Sequence, residues 1–233
     1  MLTGPRSVRV RTFSAVIFDM DGVIIDSQAA ANQALVMAAA QHGVRLQVSE
    51  LEDLVGASEQ QFWTYVKTRY ALPEPVAFYA ASYDEEREIA AYDQTLFSPG
   101  LDTLLTGLRD AGVAIALATS GSRRRMNAVI DLLELAQWLD VAVCREDTPR
   151  EKPAPDLFLA AASTLGIPPS GCLVIEDSSP GITAARAAGM TVIAFTAYAG
   201  PTSMRVGADA CLTTFEGVDL AQLQAMWNAC VRG

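Results

Sequence analysis

Two pairs of acidic residues stand where buried strands are predicted to end. Asp19 and Asp21 follow the first apolar run of the chain, and Glu176 and Asp177 follow a later one. Because side chains two apart in extended chain project to the same side, Asp19 and Asp21 should present both carboxylates to one point. Carboxylates this close require a cation or a shared proton, and oxygen ligands suit Mg²⁺. An isolated Asp-x-Asp also fits a strand-end turn with solvated acids.

Hydroxyl groups and a lysine stand at two further strand ends. Thr119, Ser120 and Gly121 open a predicted helix, where hydroxyls and backbone N–H groups can hold an oxyanion or a phosphate. An ordinary helix N-cap explains the same residues. Lys152 precedes the next helix in a proline-fixed segment, although a lone lysine is usually solvated surface. Four strand ends with an acid pair, a hydroxyl, a lysine and a second acid pair predict a single site.

Five short apolar runs predict a parallel sheet covered on both faces. The runs are Ala15–Phe18, Val113–Ala118, Val141–Cys144, Leu173–Ile175 and Val192–Phe195. Helical patterns lie between most of them, at Leu101–Ala111, Arg124–Leu135, Pro155–Leu165 and Pro180–Gly189. This alternation predicts a doubly wound, Rossmann-like α/β core whose ligand site lies at the carboxyl ends of the strands.

The interval between the first strand and residue 97 breaks this alternation, because it offers helical patterns and no convincing strand. We predict a core of residues 1–25 and 97–233 and a helical insert of residues 26–96. Since the chain leaves and returns beside the first strand, the insert should lie over the carboxyl edge of the sheet as a lid. Its aromatic residues are expected to form mainly its own core. They are Phe62, Trp63, Tyr65, Phe78, Tyr79 and Tyr83.

The composition excludes several classes of function. The chain has 233 residues with 51% hydrophobic side chains, enough for a large core, and its net charge of −10 argues against a nucleic-acid partner. The single histidine, His42, excludes triads and metal sites built on histidine, and we expect it to end a helix beside a capping Gly43.

The expected environment is the cytoplasm. No apolar run reaches the roughly 18 residues of a membrane span, and no signal-peptide pattern opens the chain, so no membrane partner is expected. Four cysteines without a Cys-x-x-Cys pair predict reduced, mostly buried thiols and no zinc. They are Cys144, Cys172, Cys211 and Cys230. The sequence does not indicate an oligomeric state, and a monomer is compatible with it.

The sequence resembles the haloacid dehalogenase superfamily, in the branch with a helical cap after the first strand. Phosphoglycolate phosphatases, sugar-phosphate phosphatases and β-phosphoglucomutase belong to this branch. The resemblance covers essentially the whole chain and rests on four motifs that occur in the family's order. They are Phe18-Asp19-Met20-Asp21-Gly22-Val23-Ile24-Ile25-Asp26-Ser27, Thr119-Ser120, Glu151-Lys152-Pro153-Ala154-Pro155-Asp156 and Ile175-Glu176-Asp177-Ser178.

The resemblance implies a role for each matched residue. Asp19 would be the nucleophile and Asp21 the general acid and base. Thr119 and Lys152 would bind phosphate, with Ser120 and Gly121 beside them. Mg²⁺ would be held by Asp19, the backbone carbonyl of Asp21, and Asp177 with Glu176 alongside. The implied reaction is Mg²⁺-dependent hydrolysis of a small phosphorylated metabolite, a sugar phosphate or a phosphoglycolate-like ester, through an aspartyl-phosphate.

The insert, called the cap below, departs from the mutase pattern. Mutase members carry a histidine in the first cap helix and an arginine after a Gly-Val-Ser loop, and here those positions hold Ala31 and Glu59. An acidic Glu59 disfavours a second phosphate, which favours transfer to water. Gly56 and Ser58 are expected to contact the substrate. Phosphoglucomutase-type transfer and a catalytically idle phosphate-binding protein of the same fold remain as alternatives.

Overall fold

A computed structural model describes residues 12–46, 50, 59–198 and 207–230. Its centre is a six-stranded sheet in the order β3-β2-β1-β4-β5-β6, and every pairing is parallel. The strands are β1 (Ala15–Phe18), β2 (Ala114–Ala118), β3 (Val141–Val143), β4 (Cys172–Glu176), β5 (Thr191–Phe195) and β6 (Ala210–Leu212). The strand order reverses around β1, so the carboxyl ends of β1, β2 and β4 form the crevice where ligands bind in doubly wound sheets.

Helices cover both faces of the sheet and form the cap. The cap contains α1 (Gln28–Gln41), α2 (Glu59–Arg69), α3 (Val76–Ala80) and α4 (Glu85–Ala90). The core contains α5 (Leu101–Asp110), α6 (Arg123–Leu132), α7 (Asp156–Leu165), α8 (Ser179–Ala187) and α9 (Leu220–Cys230). Within these described residues, no helix is long and apolar enough to cross a bilayer.

The core has two apolar layers, one on each face of the sheet. Neighbouring residues of β1 alternate between them, with Phe18 in the layer that contains Leu104 and Ile17 in the layer that contains Phe158. All four residues are at most 1% exposed. This two-sided burial explains why the strands are continuously apolar rather than alternating.

The predicted fold class, a doubly wound α/β core with a helical cap, is confirmed. All five predicted strands form, with ends within one residue of the prediction. The edge strand β6 and the last helix α9 were not predicted, because β6 has only three residues, none of them buried, and α9 buries only Leu223 and Trp227. The predicted helix Arg124–Leu135 ends earlier, since Glu134 adopts a left-handed conformation with φ of 52°.

The cap has its own apolar cluster around Trp63, which is fully buried. Phe62 and Tyr79 are buried in this cluster, and the other predicted tyrosines pack against it. The prediction was wrong for Phe78, which is 55% exposed and only rests against the rings of His42 and Tyr79. His42 ends α1 as predicted, and its Nε2 lies 2.6 Å from Ser82 Oγ.

The two segments that join cap and core pair with each other. The backbone N–H of Asp26 donates to the carbonyl of Leu96 at 2.9 Å, and the N–H of Ser98 donates to the carbonyl of Ile24 at 2.9 Å. The buried Ser98 hydroxyl also donates to the carbonyl of Val23 at 2.5 Å. The chain therefore enters and leaves the cap at one place, close to the end of β1.

The segment after β3 is fixed by charged contacts. Asp147 accepts the backbone N–H of Cys144 at 3.0 Å and pairs with Arg123 at the start of α6. The N–H of Cys144, its thiol and Arg123 hold the pKa of Asp147 below its usual value. Further along, Arg150 pairs with Asp156 at 2.6 Å. These pairs bracket the loop that carries Lys152.

All four cysteines are free thiols. Cys144 and Cys172 are buried, as expected. Cys211 is exposed and Cys230 is half-buried, so the expectation of mostly buried thiols was right for only two. Cys211 lies on the edge strand β6, which has no neighbouring strand on its outer side in the described sheet.

Candidate active site

The site is built around an ion-pair cluster at the carboxyl end of the sheet. Lys152 Nζ lies 2.8 Å from Asp19 Oδ1 and 2.9 Å from Glu176 Oε1. Asp19 follows β1 and Glu176 ends β4, so two adjacent central strands bring these carboxylates together. The Lys152 side chain is 6% exposed, so it is not the solvated surface lysine of the alternative interpretation.

The charge state of Lys152 follows from this environment. Burial would lower its pKa, but the carboxylates of Asp19 and Glu176 outweigh burial and raise the pKa above its ordinary value. Lys152 therefore remains an ammonium at neutral pH. Its Nζ also lies 5.0 Å from the centroid of the Phe158 ring, a cation–π contact that supports the same position.

Asp177 adds a third carboxylate to the cluster. One oxygen from each of Asp19, Glu176 and Asp177 lies within 4.8 Å of the others. Gly22, at φ of 71°, makes room for Asp177, since a Cβ atom at Gly22 would lie 2.0 Å from Asp177 Oδ2. The glycine of the first motif thus serves both the turn and the close approach of the second acid pair.

A second glycine makes room for Glu176. A Cβ atom at Gly181, in the first turn of α8, would lie 1.6 Å from Glu176 Oε1. Glu176 also accepts the backbone N–H of Ser178 and, at 3.0 Å, the Ser178 hydroxyl. The Ser178 hydroxyl in turn accepts the N–H of Gly181 at 3.1 Å and caps α8. The N-terminus of α8 thus holds the fully buried Glu176 in one orientation.

The acidic cluster fits a divalent cation. Three carboxylates share one ammonium, which leaves a net negative charge in a buried space. Burial raises the pKa of Asp19 to about 7, with Lys152 lowering it and Glu176 raising it further. Burial also raises the pKa of Asp177 well above its ordinary value, to which Glu176 and Asp19 add. Hard oxygen donors whose negative charge is poorly compensated are the donor set that Mg²⁺ takes in proteins.

The hydroxyl segment after β2 lies beside this cluster. Thr119 is buried, and its Oγ1 accepts the backbone N–H of Gly121 at 2.9 Å. The N-cap of α6 is Ser122, whose Oγ accepts the N–H of Arg125 at 3.0 Å. Ser122 therefore caps α6, and the Thr119 hydroxyl is not required as a helix cap. Ser120 and Gly121 line the cleft above the sheet together with Lys152.

Asp21 has hydrogen-bond partners outside the acidic cluster. Its Oδ1 accepts the Ser27 hydroxyl at 2.5 Å and pairs with Arg125 Nη2. The carboxylates of Asp19 and Asp21 therefore have different partners, an ammonium for the first and a guanidinium with a hydroxyl for the second. Two acids with different environments are the arrangement that allows one to attack and the other to transfer protons.

Sequence reasoning missed Arg125 and its partners in the cap. Arg125 Nη2 lies 3.0 Å from Glu88 Oε1, and Arg125 Nε donates to the Tyr92 hydroxyl at 2.6 Å. Burial would lower the pKa of Arg125, but Asp21 and Glu88 raise it, so the guanidinium stays charged. The only sequence signal was the run of three arginines that opens α6, of which Arg125 alone turns toward Asp21.

The cleft between the cap and the strand ends has a volume of about 1450 Å³. Its cap side carries amide and hydroxyl groups, with Gln28 from α1 and Gln60 and Thr64 from α2, and the charged groups of Arg69 and Glu85. Glu59 also lines the cleft, and its pKa is raised by burial, while Arg145 on the core side opposes this shift. The predicted contacts Gly56 and Ser58 lie outside the described residues.

The assembled features define a class of protein: a capped α/β enzyme with an acidic centre at the carboxyl end of its sheet. The chain belongs to the haloacid dehalogenase-like hydrolase family, whose model matches residues 13–189.

Three similar proteins illustrate this relationship. The chain is 34% identical over 189 residues to Protein SUPPRESSOR OF QUENCHING 1, chloroplastic, of Arabidopsis thaliana. The matched region covers 78% of this chain but only 18% of that protein. It is 30% identical over 192 residues to Validoxylamine A 7'-phosphate phosphatase of Streptomyces hygroscopicus subsp. limoneus, covering 79% of this chain and 86% of that protein. The crystal structure of β-phosphoglucomutase from Clostridium difficile superposes with a TM-score of 0.78, covering 95% and 100% of the two chains at 23% identity. That last likeness shows the shared fold.

Proposed function

We propose that this protein is a Mg²⁺-dependent phosphatase that hydrolyses a small phosphomonoester, a sugar phosphate or a phosphoglycolate-like ester, through an aspartyl-phosphate. The observation that carries the proposal is the placement of Lys152 Nζ, 2.8 Å from Asp19 Oδ1, inside a cluster of three carboxylates of which Asp19 and Glu176 are buried and Asp177 is partly buried. A buried acid paired with an ammonium, with a second acid two residues further along, suits a carboxylate nucleophile that attacks phosphorus.

In the first step, Asp19 attacks phosphorus and the bond to the leaving oxygen breaks. The ammonium of Lys152 and the hydroxyl of Thr119 face the phosphoryl oxygens and offset their negative charge. Asp19, Asp177 and the backbone carbonyl of Asp21 would hold Mg²⁺, with Glu176 alongside. When bound, Mg²⁺ would neutralise charge on the phosphoryl group and on these carboxylates.

Asp21 transfers the protons of both steps. It donates a proton to the leaving alkoxide while the aspartyl-phosphate forms, and it then takes a proton from the water that hydrolyses this intermediate. Both named hydrogen bonds to Asp21 end on Oδ1. Oδ2 is therefore the oxygen that we assign to proton transfer.

Of the two proposed substrate types, the polar groups of the cap favour the sugar phosphate, whose leaving group bears hydroxyls. Gln28, Gln60 and Thr64 offer hydrogen bonds to hydroxyls, and Glu59 would repel a second phosphate. Ala31 lines the cleft without a polar group. The relative from Streptomyces hygroscopicus subsp. limoneus is named as a phosphatase of a 7'-phosphate, which agrees with a monophosphate substrate.

A panel of phosphomonoesters assayed with and without Mg²⁺ tests the proposal. We expect phosphate release that requires Mg²⁺ and that Asp19→Asn abolishes, because an amide neither attacks phosphorus nor balances the cation. The exposed Asp131→Asn, on α6, is the matched control and should retain activity. Phosphate release by Asp19→Asn at the wild-type rate, or the absence of release from every ester, would contradict the proposal.

A further inference from the structure

A buried guanidinium links the core acid Asp21 to the cap. Arg125 lies on core helix α6, and its Nη2 contacts both Asp21 Oδ1 and, at 3.0 Å, Glu88 Oε1 of cap helix α4. Its Nε donates to the hydroxyl of Tyr92 at 2.6 Å. The Arg125 side chain is 16% exposed and that of Glu88 is 0% exposed. A buried charged group therefore joins the core to the cap beside the reaction centre.

Glu88 is built into the cap as a fixed anchor. The hydroxyl of Tyr83 donates to its Oε2 and that of Tyr92 to its Oε1, the latter at 2.6 Å. With Arg125 these donors satisfy both oxygens of a carboxylate that is completely buried. A buried carboxylate with this set of partners has little freedom to move, so the position of Arg125 follows the position of the cap.

A neighbouring pair provides a contrast. Arg124, the preceding residue of α6, pairs with Glu86 of the same cap helix α4. Those two side chains are 62% and 55% exposed, and neither is bonded to Asp21. Both pairs join α6 to α4, but only the buried one reaches the reacting carboxylate. Holding the cap against the core thus does not require Arg125 to contact Asp21.

We propose that Arg125 is a positioning residue of the phosphatase reaction, which uses Glu88 of the cap as its anchor to hold Asp21 in the orientation that protonates the leaving group. The proposal rests on the function proposed above, because it takes Asp21 as the general acid. Arg125 and Ser27 both bind Oδ1 of Asp21, so Oδ2 is the oxygen that would face the leaving group. When the cap moves away from α6, Arg125 loses its anchor and Asp21 loses its fixed orientation.

The proposal predicts a dependence on the leaving group that a purely structural role would not produce. An alkoxide needs a proton from Asp21 to depart, whereas 4-nitrophenolate departs without one. Arg125→Met should therefore lower kcat/KM for glucose 6-phosphate by about 100-fold and kcat/KM for 4-nitrophenyl phosphate by less than about 10-fold, within the range for loss of a general acid. Arg125→Lys should recover part of the loss, because the lysine ammonium can reach Asp21. It cannot bind Asp21 and Glu88 at the same time as the planar guanidinium does.

Two further variants keep the test decisive. Glu88→Gln keeps the volume of the anchor and should lower kcat/KM for glucose 6-phosphate by about 10-fold, less than the roughly 100-fold of complete loss of a general acid, because Arg125 is still present. If Arg125→Met does not fold, Glu88→Gln tests the proposal in its place. Arg124→Met is the matched control and should change neither substrate by more than about 2-fold, as expected for an exposed pair.

The outcomes separate the two proposals. Equal losses on both esters in Arg125→Met and Glu88→Gln, or full activity in both, would overturn the role of Arg125 while leaving the phosphatase proposal intact. A wild-type protein that hydrolyses no ester of the panel would overturn both proposals, and the sugar phosphate that the wild type hydrolyses fastest replaces glucose 6-phosphate where that ester is not a substrate. A loss confined to glucose 6-phosphate, partly restored in Arg125→Lys, is the expected result.

Discussion

Replacing Lys152 by methionine removes the ammonium that lies between Asp19 and Glu176, at 2.8 and 2.9 Å. Methionine has a similar volume, so the substitution leaves little cavity and mainly removes charge. Breaking a buried ion pair by removing one partner costs about 3–5 kcal/mol, because the remaining charge stays buried without compensation. We therefore expect the free energy of unfolding of the metal-free protein to fall by about 3–5 kcal/mol, or roughly 6–20 °C in Tm for a chain of this size.

The same substitution should lower kcat by about 100-fold to 1000-fold, the range for removing one group that stabilises developing charge. Urea unfolding of the metal-free protein and steady-state kinetics with Mg²⁺ measure the two effects. Lys67→Met is the matched control, since Lys67 is the other lysine of the sequence and binds the cap carbonyls of Leu72 and Glu74. A Lys152→Met variant with unchanged unfolding energy and activity would refute the charge argument.

Two other predictions concern stability and acid. Gly181→Ala places a Cβ 1.6 Å from Glu176 Oε1, so it should displace this carboxylate and reduce activity at least about 100-fold. The control Gly107→Ala adds its Cβ to open space on α5 and should raise the free energy of unfolding by about 0.5–1 kcal/mol. Unchanged activity in Gly181→Ala would contradict the geometry. Because the folded-state pKa of Asp147 is lowered, its stabilisation exists above its ordinary pKa and is lost as the pH falls through the folded value. Asp147→Asn should therefore be less stable than wild type in urea at pH 7, and the difference should shrink as the pH falls through the folded-state pKa of Asp147. A difference that does not change with pH would contradict this.

The sequence predicted those parts of the fold whose signals are local. Strands such as Ala15–Phe18 are buried on both faces, so a continuous run of apolar residues predicts them. The motif residues Asp19 and Lys152 could be placed near each other because parallel strands end at one edge. The strand β6 gave no such signal, because three partly exposed residues at a sheet edge satisfy no periodic pattern.

The partners of Asp21 could not be predicted for a different reason. Glu88 follows four charged residues and has the pattern of a solvated helix face, yet it is completely buried. Its burial depends on Arg125, which is 37 positions further along the chain and on another domain. Only the packing of the cap against α6 brings these two charges together, and neither residue's immediate neighbours in the sequence reveal it.

The central claim is that Asp19 carries the phosphoryl group during turnover. The most direct measurement is a single-turnover experiment with Mg²⁺ and ³²P-labelled 4-nitrophenyl phosphate, whose leaving group departs without a proton from Asp21, quenched in acid and analysed by peptide mapping. We predict label on the peptide that contains Asp19, lost on treatment with hydroxylamine and accumulated in Asp21→Asn, where the water-activating base is missing. Turnover without label on this peptide in either protein, or label on another residue, would contradict the account.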